Sequence, residues 1–134
     1  DPYVEYADGE TLLNKAARNM DSVYLSALVV NSIDCNSYDR NGKTPLICAV
    51  EDYSEESVNI LLNSDALVNL SSKKDKKTPL HYAVLRNNKT IVLQLLAFNA
   101  DVSLKDTNGM TPIDYAKKNG FKELLNLMLY AKNK

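Results

Sequence analysis

Lys77-Thr78-Pro79-Leu80-His81-Tyr82-Ala83 is the stretch on which the fold turns. A threonine hydroxyl can accept one of the orphan N–H groups at a helix start, and a proline directly after it sits where its missing donor costs nothing. The stretch therefore reads as the first turn of a helix beginning at Pro79. The same punctuation occurs at Thr44-Pro45-Leu46 and Thr111-Pro112-Ile113, and in weaker form at Thr11-Leu12-Leu13. The four threonines are 33, 34 and 33 residues apart. A fixed period of this size is the mark of a repeat architecture.

Working outward from each threonine, an alanine follows five residues on (Ala16, Ala49, Ala83, Ala116), small enough for neighbouring helices to approach closely. An apolar pair follows at seventeen and eighteen: Leu28/Val29, Leu61/Leu62, Leu95/Leu96 and Met128/Leu129. Between them a second helix is expected to start at Asp21, Ser54 and Asn88, with Ile91, Val92, Leu95 and Leu96 on one face. Asn41-Gly42 and Asn108-Gly109 supply turn residues that tolerate positive φ. A unit of about 33 residues cannot bury its apolar face alone, whereas stacked units can. The expected fold is all-α: a solenoid of stacked helix-turn-helix units with projecting β-turn or hairpin loops. It forms one domain over 1–134, in repeats of about 6–38, 39–72, 73–105 and 106–134.

These residues resemble the ankyrin repeat family, whose consensus runs approximately D-x-x-G-x-T-P-L-H-x-A-A, then a second helix ending in L-L, then G-A-D-V-N. The likeness is strongest over 39–70 and 73–106, with Thr78-Pro79-Leu80-His81 and Asn99-Ala100-Asp101-Val102 nearest the pattern. Several positions depart from it. Tyr6 and Leu12 stand at the Asp and Pro positions of the first repeat, making it an irregular terminal one. The segment 70–77 has one extra residue and Lys76 replaces the turn glycine, which predicts a reshaped finger. Asn87 and Asn99 replace glycines, and asparagine is the next best residue for a left-handed backbone. The last helix, 122–130, is apolar almost all round, and Val23 stands where a charge is usual. Such ends are either imperfect caps or faces covered by further structure, a partner or a second copy.

Composition excludes several classes of function. With 134 residues, 45% hydrophobic and 25% charged, the chain is sized for one globular domain, and no apolar run is long enough to span a membrane. The opening residues show no signal peptide and no initiator Met, so the chain reads as a piece of a larger intracellular protein. Two cysteines, Cys35 and Cys48, are too few for a disulfide scaffold and read as buried small hydrophobes. His81 is the single histidine, and the family resemblance makes it a structural residue joining backbone groups of neighbouring turns. Glu51-Asp52 and Glu55-Glu56 diverge on a helix and do not converge on one substrate atom. No phosphate-cradling glycine motif is present. The expectation is no enzyme, no metal and no cofactor.

The net charge of −1 conceals a gradient. Residues 1–72 hold 12 acidic and 4 basic side chains, a net of −8; residues 73–134 hold 5 and 12, a net of +7. The family resemblance implies that a partner protein or peptide binds the concave groove, through finger residues before each threonine and residues seven and eight after it. Those positions, with the aromatic candidate Tyr53, give Arg18, Arg40, Asn41, Lys43, Glu51, Asp52, Tyr53, Lys74, Lys77, Leu85, Arg86, Met110, Lys118 and Asn119. An acidic segment of the partner is expected to meet Lys43, Lys74, Lys77 and Arg86. A nucleic-acid reading of Lys73-Lys74-x-Lys76-Lys77 is set aside, because no aromatic residues interleave as stacking platforms. The function expected is a non-catalytic interaction module of a scaffold, or of a transcription, chromatin or signalling regulator. Its alternatives are a substrate-recruiting ubiquitin-ligase adaptor, a pathogen or viral host-interaction protein, and self-association through the C-terminal helix.

Overall fold

The computed structural model describes residues 35–133. Expectations placed on the first repeat, including the Thr11 cap, the helix start at Asp21, Tyr6, Leu12, Val23 and the groove residue Arg18, lie outside the described residues. Among those described there are six helices and no strand: α1 (Pro45–Glu51), α2 (Glu55–Leu62), α3 (Pro79–Leu85), α4 (Lys89–Ala97), α5 (Pro112–Asn119) and α6 (Lys122–Lys132).

Each helix begins where the side chains direct it. Thr44, Thr78 and Thr111 are N-caps, accepting from the backbone N–H three residues on, and proline follows each of them. Ser54 and Asn88 cap α2 and α4 in the same way. At Thr78 and Thr111 the cap is reciprocal: His81 Nδ1 and the Asp114 carboxylate accept the N–H of the capping threonine.

The helices form two layers. α1, α3 and α5 pack side by side in one, α2, α4 and α6 in the other, and each pair within a repeat packs across them. The alanines five residues after each threonine are buried, Ala49, Ala83 and Ala116 alike, as are Leu61, Leu95 and Met128 at position seventeen. The following residue is buried as Leu62 but only partly as Leu96 and Leu129. In α6, Leu124 and Met128 are buried, whereas Tyr130 is 71% exposed.

Every positive-φ residue among those described falls at one of three places in the repeat. Two residues before the threonine stand Gly42, Lys76 and Gly109; nine after it Tyr53, Asn87 and Gly120; twenty-one after it Asp65 and Asn99. The backbone therefore asks for a left-handed residue whether or not glycine is available.

Fingers link the stack edge to edge. Each closes on itself with N–H groups of Asp39, Ser72 and Asp106 donating to the carbonyls of Lys43, Lys77 and Met110. Between fingers, Lys73 N–H donates to Gly42 O at 2.9 Å and Thr107 N–H to Asp75 O at 3.0 Å. On the opposite edge, Asn36 Oδ1 accepts from Leu67 N–H and Asn69 Oδ1 from Asp101 N–H, both at 2.8 Å.

This close approach makes two equivalent glycines unequal. A Cβ on Gly42 would meet Lys73 Cβ at 3.0 Å, whereas one on Gly109 would meet nothing within 4 Å. Gly109→Ala should cost about 1–2 kcal/mol from the left-handed backbone alone. Gly42→Ala should cost more, because the adjacent finger must also shift. Urea midpoints of the two variants check this, and equal losses would count against a tight finger-to-finger contact.

Candidate functional site

Two networks of charge occupy the face made by the fingers and the α1–α3–α5 layer. The first lies at the C-terminal ends of α1 and α3. Lys43 Nζ donates to both carboxylate oxygens of Glu51, at 2.8 and 3.0 Å, and stands 5.7 Å above the Tyr82 ring. Arg86 approaches the same carboxylate at 3.7 Å, and its guanidinium lies 5.6 Å from the Tyr53 ring centroid. Contact with Tyr53, and then the charges of Glu51 and Asp52, hold Arg86 firmly in its charged form against the effect of burial. Tyr53 is half exposed and has φ 59°, a backbone region that costs a side chain of this kind roughly 1–2 kcal/mol.

The second network joins repeats three and four. Asp106 has a fully buried carboxylate that accepts from Tyr115 OH, from the N–H groups of Asn108 and Met110, and from Lys77 Nζ at 3.1 Å. Burial pushes this carboxyl up, but those donors outweigh it and hold the pKa at about 2. Lys77 lies 5.5 Å over the Tyr115 ring and keeps only 15% of its side chain exposed. Tyr82 OH donates to Asp75 at 2.9 Å, and burial followed by the neighbouring Asp75 raises its pKa. His81 is fully buried; Nδ1 accepts from Thr78 N–H at 3.0 Å, which leaves Nε2–H to donate to Met110 O at 2.9 Å. Its pKa is lowered by burial, so the ring is neutral.

Lys77, expected among the docking cations, is engaged within the fold. A buried carboxylate needs a countercharge, and Lys77 supplies it to Asp106. Met110 gives its carbonyl to His81 and packs its half-buried side chain on the core. Lys43 is largely committed to Glu51. Arg40, Asn41, Lys74, Lys118 and Asn119 are exposed, Asp52 is half-buried, and Leu85 and Arg86 are on the surface.

The reshaped finger has a specific form. In the outer two fingers the first residue, Asp39 or Asp106, aims its carboxylate at the side chain four residues after the threonine, Cys48 or Tyr115. With one residue inserted, Ser72 takes that first position, and Asp75, inside the finger, reaches both Lys77 N–H and Tyr82 OH. Sequence reasoning missed this role of Asp75. The signal was the tyrosine four residues after Thr78 and Thr111.

Among the described residues no cluster of His, Cys, Asp or Glu could hold a metal ion, and no helix is long and apolar enough to cross a membrane. Cys35 and Cys48 are buried and unlinked. Both ring nitrogens of His81 are engaged, and the two layers of packed helices define a stacked helical-repeat protein.

The family profile described as "Ankyrin repeats (3 copies)" matches residues 1–72 and 66–134, and the chain belongs to the ankyrin-repeat family. It is 37% identical over 109 residues to "BRCA1-associated RING domain protein 1" of Caenorhabditis elegans, covering 81% of this chain and 15% of that protein. It is 41% identical over 76 residues to "Palmitoyltransferase ZDHHC17" of Danio rerio, covering 56% and 12%. With "Putative ankyrin repeat protein FPV024" of fowlpox virus it shares 31% over 103 residues, covering 76% and 17%. The chain thus spans less than a fifth of the length of each of these relatives.

The buried network predicts a pH response. The unfolded chain titrates His81 near the usual 6.5 and Asp106 near 3.9, both above their folded values. The unfolded chain therefore binds more protons as pH falls, so stability is lost on acidification: first below about pH 6.5 as His81 must charge, then from about 4 towards 2 as Asp106 is protonated. Asp106→Asn should cost about 2 kcal/mol or more at pH 7 by leaving Lys77 only the more distant Asp75, 4.0 Å away, and should flatten the loss below pH 4. Urea unfolding across a pH series reads both effects.

Proposed function

We propose that this segment is a non-catalytic module that binds a partner protein or peptide along the fingers and the groove-facing ends of α1, α3 and α5. Ankyrin repeats are a protein-interaction fold, and in the relatives named above the similar stretch is a minor part of the length. The observation that carries the reading is that Lys74, Arg86 and Lys118 are exposed at the finger and at the ends of α3 and α5, while Lys43 and Lys77 are engaged with carboxylates of the fold. The partner presents an acidic segment to repeats two to four. A regulatory or scaffold protein is the setting that fits such a module, and two buried, unlinked cysteines suit an intracellular compartment.

Charge reversal of Lys74 and Lys118 together should lower partner affinity at least about tenfold and reduce its salt dependence, because exposed charges set association and specificity. Helical circular dichroism should be unchanged. Capture of the same partners at unchanged affinity by the reversed variant would sink this assignment.

A further inference from the structure

We propose that Tyr53 and Arg86 form a prebuilt anchor for a partner segment in which a carboxylate stands beside an aliphatic side chain. This rests on the groove reading above and names the chemistry that the groove recognises.

The cations of this face are not equivalent. Lys43 is closed onto both oxygens of Glu51, and Lys77 is buried against Asp106. Arg86 approaches a single Glu51 oxygen at 3.7 Å, beyond hydrogen-bond range, and 40% of its side chain is exposed. Contact with the Tyr53 side chain, whose ring centroid lies 5.6 Å away, orients the guanidinium. A guanidinium held this way loses little freedom when it grips a carboxylate in two-pronged fashion.

Register places the carboxylate. Residues seven and eight after each threonine are Glu51/Asp52, Leu85/Arg86 and Lys118/Asn119 in successive repeats. On the repeat-two side of Arg86 stand Glu51 and Asp52, whose charges repel an anion. On the repeat-four side stand Lys118 and Lys117 in the last turn of α5. The anion is therefore confined between Arg86 and Lys118. Leu85, exposed between the charged residues of its neighbours, offers the adjoining aliphatic contact.

Tyr53 supplies an independent observation. The turns equivalent to its own use Asn87 (φ 52°) and Gly120 (φ 69°), residues suited to a left-handed backbone. Tyrosine is poorly suited to it, yet here it stands half exposed. Strain held at an exposed aromatic, against a simpler solution used twice in the same chain, marks a residue retained for contact.

The test uses a displayed library of random short peptides selected on the full chain. Enriched peptides should pair Asp or Glu with Leu, Ile, Val or Met. Tyr53→Asn should raise the thermal midpoint, by relieving the backbone, while weakening the selected peptides about tenfold. Arg86→Lys, which keeps the charge and loses the fork, should weaken them similarly. Peptides without that pair, or unchanged affinity in both variants, would overturn the anchor while leaving groove binding standing if charge reversal at Lys74 and Lys118 still weakens it. A Tyr53→Asn variant that loses stability along with affinity makes Tyr53 structural and also overturns it. A library that yields no binder to the wild-type chain removes the groove reading itself, and the anchor with it.

Discussion

The imidazole of His81 is bonded on both sides, to the capping end of its own helix and to the carbonyl of Met110 in the next finger. Much of the architecture depends on links of this kind. A repeat of two short helices has too little apolar surface to fold alone, so each must be held at a set offset from the next. Hydrophobic burial supplies the driving force without fixing that offset, whereas directional bonds fix it. The finger-to-finger bonds at Gly42 and Asp75 and the Asn36 and Asn69 bonds on the far edge repeat the device.

The inserted residue in the middle finger shows which feature is indispensable. Its first position changes from Asp to Ser, yet a carboxylate still arrives at the buried hydroxyl four residues past the threonine, brought there by Asp75. Lys76 adopts φ 59° where its neighbours use glycine. The hydrogen-bonding requirement is conserved through the stack while the residue that meets it moves. An unmet buried hydroxyl costs more than a slightly strained turn.

Much of this was legible in the sequence. Threonine-proline pairs specified the caps, the alanines the close-packed face, and Asn87 and Asn99 the left-handed turns; each follows from the local preferences of one residue type. The docking set was less legible. Lys43, Lys74, Lys77 and Arg86 look alike along the chain, but a buried Asp106 claims Lys77, and Glu51 claims Lys43 more tightly than it does Arg86. Tyr53 was visible as an aromatic at a bend, while its strained φ and its contact with Arg86 were not.

The sequence by itself determined the period, the helix starts and the −8 to +7 charge gradient, because these depend on spacing and residue type alone. Only the tertiary structure decided which charges remain available on the surface. Ion pairing depends on distances of a few ångströms between residues eight to thirty-five positions apart, and the electrostatic energy that selects one partner over another falls off over that same short range.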